Sequence, residues 1–124
     1  MVCMADNFKK LEIWREAVRL VEVIYKTTGE FLKEEIYGLT SQMRRSAVSV
    51  AGNIAEASGR FGYKDKVHFL VVARGSLEET RSHLLIAEKL GYVEKSQTEK
   101  IDEEYEVLVK KINSFIGSIK EKTN

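Results

Sequence analysis

The sequence has no proline, one cysteine, one tryptophan and two histidines among its 124 residues, and each scarcity closes off a class of structure. Without proline nothing breaks a helix from within, and the wealth of Glu, Lys, Leu, Ile and Val favours long uninterrupted ones. The lone Cys3 cannot form an internal disulfide and, in a terminal segment, is not expected to serve as a structural or catalytic thiol. No apolar run approaches the roughly 20 residues that span a bilayer. The longest stretch without charge, Ser46 to Ala55, contains Ser, Gly and Asn. The N-terminus lacks a basic region followed by an apolar signal core, so the expected compartment is the cytoplasm, with no membrane partner. Charge of one sign is also missing in bulk, since twenty basic and nineteen acidic side chains leave only +1. Any basic surface must therefore come from segregation rather than from the total.

What is present points to one all-α domain over 1–124, long enough to bury a core without staples. Four amphipathic segments, at about 7–28, 39–58, 64–90 and 97–121, are joined by short connections. An antiparallel up-down-up-down four-helix bundle is the expected architecture. In the first helix Leu11, Trp14, Val18, Val21, Tyr25 and Thr28 recur at spacings of three and four, Asp6 or Asn7 can cap the start, and Gly29 can end it. Ala17, Leu20 and Ile24 widen its apolar face, while Phe31, Leu32 and Ile36 add a short apolar contribution in the connection that follows. The last helix opens on Ser96-Gln97-Thr98-Glu99, a capping-box pattern, and carries the stripe Ile101, Tyr105, Leu108, Ile112, Phe115 and Ile119.

The stretch 38–60 has three faces. Leu39, Met43, Ala47, Val50, Ile54 and Ala57 form a core stripe; Val48, Ala51, Gly52 and Ala55 form a strip small enough for close helix approach; Arg45, Ser49, Asn53, Glu56 and Arg60 form a polar line. A packed hydrogen-bonding seam is the first reading of that line and a substrate site the second. On the third helix Val67, Leu70, Ala73, Leu77, Leu84 and Leu85 make the main stripe, but Arg74 and Arg81 fall in the same sector and need partners if buried. Glu56 and Glu78 are the expected acceptors, giving one internal seam of Arg45, Ser49, Asn53, Glu56, Arg74, Glu78 and Arg81. Phe69, Val71, Val72 and Ile86 are left over on the same helix, which favours cover by further copies of the chain.

Chemistry is sparse. Glu79 and His83 share a face without a second pair, so no metal or cofactor is expected, and Arg74 and Arg81 would keep nearby carboxylates ionised, so no enzyme is expected. A basic and aromatic corner of Arg60, Tyr63, Lys64 and Lys66 between Gly59 and the third helix suits phosphate and base binding, a solvated turn being the alternative. With Arg44 added, these cations are the candidate nucleic-acid contacts.

The segments GLTSQMRRSAVSVAGNIAEASGR and FLVVARGSLEETRSHLLIAEKLGY resemble the bacterial four-helix-bundle family that includes proteins encoded by intervening sequences in 23S ribosomal RNA genes. The resemblance runs from Phe8 through the last helix. It implies a four-helix bundle and a homopentameric ring, and relatives include accessory proteins of diversity-generating retroelements, which bind nucleic acid and reverse transcriptase. The chain departs from the usual pattern at Leu32, at Ala51-Gly52 and at Ala57. An oligomeric, non-enzymatic binder of RNA or DNA or of a nucleoprotein partner is the expected function, with a protein-protein scaffold as the alternative.

Overall fold

The computed structural model describes residues 8–123. It comprises α1 (Glu12–Thr28), a 3-10 turn (Lys33–Glu35), α2 (Leu39–Ser58), α3 (Tyr63–Lys89) and α4 (Lys95–Thr123), with no strand among the described residues. Each helix packs against two neighbours, α1 on α2 and α4, and α3 on α2 and α4, and among the described residues the backbones of the diagonal pairs α1–α3 and α2–α4 stay apart. No helix among the described residues is long and apolar enough to cross a membrane.

The stripe of α2 is buried as its spacing requires, with Met43, Ala47, Val50, Ile54 and Ala57 in the core and Leu39 half-buried. On α3 Leu70, Ala73, Leu77 and Leu84 are buried and Thr80 and Ala87 complete the row, while Leu85 points outward at 46% exposure. The α1 stripe is displaced. Ile13, Ala17, Leu20 and Ile24 form the core, whereas Trp14, Val18 and Val21 are half-buried and Tyr25 is exposed. The apolar arc of α1 is broad because it faces two helices, and spacing alone does not locate the centre of a broad arc.

Element ends differ from expectation in two places. The first helix starts at Glu12 rather than near residue 7; its cap is Leu11, and Arg15 donates back to the carbonyl oxygens of Lys9 and Lys10. Asp6 and Asn7 lie outside the described residues. Because α4 begins at Lys95, Ser96 sits inside it and the capping box does not form; Thr98 is buried and donates to the Glu94 carbonyl at 3.2 Å. The α3 terminus follows its glycine: Gly91 has φ +82°, and the amides of Gly91 and Tyr92 return to the carbonyls of Glu88 and Ala87. Of the connection after α1 only Phe31 is buried, packed on Tyr92, while Leu32 and Ile36 are exposed.

The expected single polar seam is two seams on opposite flanks of α3. Facing α2, Ser49 and Ser76 hydroxyls lie 2.8 Å apart, Thr80 donates to Ser46 at 2.7 Å, Asn53 bonds to Ser49, and Arg45 pairs with Glu79. Facing α4, Arg81 grips Asp102 with two N–H groups at 2.7 and 3.0 Å, with Glu78 alongside, and Arg74 donates to Asn113. Glu56 reaches neither arginine. It pairs instead with Arg60 on its own helix and is half-exposed. Positions seven apart on a helix lie nearly in line, so Arg74 and Arg81 share the α4 flank, whereas Ser76, Glu79 and His83 occupy the α2 flank. No buried side-chain polar atom among the described residues lacks a partner.

Two predictions follow from these seams. Arg81→Met, whose carboxylate partner is only 25% exposed, should lower stability by about 1–2 kcal/mol, less than a fully buried pair. Glu56→Ala, at an exposed pair, should change it by no more than about 1 kcal/mol. Urea melts showing the reverse order would contradict the pairing. The second concerns His83, whose Nδ1 lies 3.5 Å from Ser46 Oγ and whose Nε2 lies 3.9 Å from Glu79. Burial pushes its pKa below the ordinary value near 6.5; Glu79 opposes the shift and Arg45 reinforces it. The unfolded chain therefore takes up the proton first, so stability is fully present above about pH 6.5 and is lost as the pH falls through the lower folded value. His83→Gln should flatten that acid limb in melts at pH 7.5 and 5, and an identical pH dependence in the two proteins would rule His83 out as its source.

Candidate nucleic-acid interface

Gly59 and Gly62 bracket the reversal between α2 and α3, and the cations around it are placed by local chemistry. Lys66, one turn into α3, donates to the carbonyl oxygens of Ala57 and Ser58, both at 3.3 Å, so its charge rests on the negative end of α2. Arg60 is paired with Glu56 and lies 4.6 Å from the Phe69 ring centre. Lys64 is exposed and makes no ion pair or side-chain hydrogen bond among the described residues. Phe61, at 86% exposure, and Tyr63, at 46%, stand beside them.

The end of α4 adds what the sequence reading missed. Tyr63, Lys64, Val67 and Lys120 border one hollow, and Tyr63, Lys66 and Lys122 border an adjoining cleft that Leu11, Phe115 and Ile119 also line. Lysines from two helices thus lie on both sides of one tyrosine. Glu56 and Asp65 border a separate hollow with Arg60 and Phe61, whereas the two hollows on the α3–α4 side are bordered by lysines and by no carboxylate. Lys111 does not join them: Glu12 and Glu16 hold its ammonium at 2.6 and 2.5 Å. The signal for Lys120 and Lys122 was the charge balance along α4, where Glu99, Asp102, Glu103, Glu104 and Glu106 outweigh Lys95 and Lys100 in the first half and Lys110, Lys111, Lys120 and Lys122 outweigh Glu121 in the second. The net charge of +1 conceals this polarity.

Arg44 does not join the patch. Its guanidinium donates to Thr28 Oγ1 and the Tyr25 carbonyl and lies 4.5 Å from the Tyr25 ring centre, closing the C-terminal end of α1. Along α2 it lies sixteen residues before Arg60, roughly 24 Å at the helical rise.

Other arrangements have less to offer a ligand. Ser46, His83 and Glu79 fall in line, but Ser46 is fully buried between α2 and α3, out of a substrate's reach. Among the described residues no three His, Cys, Asp or Glu side chains converge to hold a metal ion.

Comparison with known proteins agrees with this architecture. A solved protein of unknown function, from the S23 ribosomal protein family of Bacteroides thetaiotaomicron VPI-5482, superposes with a TM-score of 0.78 at 21% identity, covering 84% of this chain and 97% of that one. The likeness establishes a shared fold. No curated protein matches the sequence. The family described as 23S rRNA-intervening sequence protein matches residues 9–114, nearly the whole length that forms the four helices. On that match the chain belongs to the 23S rRNA-intervening sequence protein family.

Proposed function

We propose that this protein is a non-enzymatic, self-associating up-down-up-down bundle of the cytoplasm that binds structured RNA or DNA, free or within a nucleoprotein, through its basic end. The observation that carries the reading is the convergence of Lys64, Lys66, Lys120 and Lys122 around Tyr63, at a distance from the acidic half of α4. Phosphates are held by such clusters at a strength that depends on counterion release. Family membership, with its link to ribosomal RNA genes, supports the same direction.

One copy offers a modest patch, and repetition in an assembly raises its effect without new contacts. The outward face of α3 supports that assembly. Val71, Val72, Leu85 and Ile86 are 38–46% exposed, and a Cβ at Gly75 would meet nothing within 4 Å. A mid-helix glycine costs about 0.5–1 kcal/mol relative to alanine, and here, as at Gly52 of α2 and Gly117 of α4, it serves no contact among the described residues. Close approach by a second copy gives it a use.

Two measurements test the proposal. Affinity for a structured RNA should fall steeply with salt, and Lys64→Ala with Lys122→Ala should weaken binding and reduce the log-log salt slope by about 2; absence of binding at about 50 mM salt would leave the scaffold reading instead. In light scattering, the protein should exceed monomer mass and Val71→Glu with Ile86→Glu should return it to monomer. A wild-type monomer at micromolar concentration would contradict self-association through this face.

A further inference from the structure

The cleft beside Tyr63 offers more than phosphate contacts require. A cation patch built only for a sugar-phosphate backbone needs no apolar hollow, yet this one opens onto a space of about 230 Å³ walled by Leu11, Phe115 and Ile119, with the fully buried Ile54 and Leu70 behind them. Polar groups stand only at its rim: Ser58, Tyr63, Lys66 and Lys122.

From this geometry, and resting on the nucleic-acid reading above, we infer that the basic end recognises unpaired nucleotides and takes one base into the cleft. Size, charge and surface type agree. The volume is below the roughly 300–1,000 Å³ of pockets for drug-sized ligands and suits one planar ring system. A chain whose base enters the cleft carries its flanking phosphates past the rim, toward Lys64 and Lys120 on one side of Tyr63 and Lys66 and Lys122 on the other. Lys66 has three N–H donors and gives two to α2 carbonyls, which leaves one, held in a fixed place, for a phosphate or base oxygen. Apolar walls and an aromatic rim accept any base by its face. A base in a closed duplex cannot enter without unpairing, so the fitting partner is a single strand, a loop or a bulge.

Ser58→Leu tests the inference, because it fills the cleft from a half-buried position without altering any charge. Tyr63→Ala is a second variant at an exposed site, in case the first perturbs folding; thermal melts of both establish that they are folded. Fluorescence anisotropy would follow a labelled strand of about twelve nucleotides, within the span of known single-strand sites, and the same sequence as a blunt duplex, across a salt series. The wild type should bind the strand more tightly than the duplex at matched salt. Either variant should weaken strand binding about tenfold while leaving duplex binding and the salt slope unchanged. Equal affinity for strand and duplex, indifferent to both variants, would overturn the base-insertion inference and leave phosphate binding standing. No binding of either probe at low salt would defeat both.

Discussion

The rotation of α3 about its own axis is the constraint on which the other features depend. Two sets of contacts hold it from opposite sides: the two-pronged Arg81–Asp102 pair toward α4, and the hydroxyl contacts Ser46–Thr80 and Ser49–Ser76 toward α2. Apolar packing alone would set this rotation loosely, since α3 carries apolar residues around most of its circumference. Directional bonds distinguish neighbouring rotations that burial treats almost equally. A turn by one residue, about 100°, would strand Arg81 and break the hydroxyl contacts together.

With that rotation fixed, the surfaces are determined. Leu70, Ala73, Leu77 and Leu84 enter the core, and Val71, Val72, Leu85 and Ile86 are left outside with Gly75 among them. The first turn of α3 is aimed by the same constraint. Tyr63 faces the end of α4, where Lys120 and Lys122 lie, and Lys66 turns back onto the exposed carbonyls of α2. Helix-end chemistry and the candidate site are therefore the same structure. The groups that finish α2 also shape the rim of the cleft, so the stability of that end and its capacity to meet a ligand are linked.

Much of this was legible in the sequence and some was not, for identifiable reasons. The α2 stripe could be read because large apolar side chains there occupy one narrow sector and small or polar ones the rest. Gly91 could be read because only a glycine tolerates the left-handed backbone that closes the α3 terminus. The core of α1 could not be centred, since its apolar arc spans two interfaces. Of the two acceptors expected for Arg74 and Arg81, Glu78 does pair with Arg81, but Glu56 of α2 was named where α4 supplies Asp102 and Asn113, because periodicity shows that a polar residue flanks a core stripe but not which neighbour lies there. The corner of Arg60, Tyr63, Lys64 and Lys66 was visible because it is contiguous in sequence. Lys120 and Lys122 lie more than fifty residues from that corner and join it only through the fold, although the shift of charge balance along α4 is present in the sequence. Arg44 was expected among the nucleic-acid contacts, but its place is set by the Thr28 hydroxyl and the Tyr25 carbonyl of α1, sixteen and nineteen residues earlier.

The central claim is that charge is sorted by the fold so that nucleic acid is met at one end only. Lysine-reactivity footprinting with and without a bound oligonucleotide tests it most directly, because lysines occur at both ends of the molecule. Protection of Lys64, Lys66, Lys120 and Lys122, with Lys33, Lys95 and Lys100 unchanged, is the result the fold predicts. Protection spread evenly over both sets, or confined to the second, would contradict it.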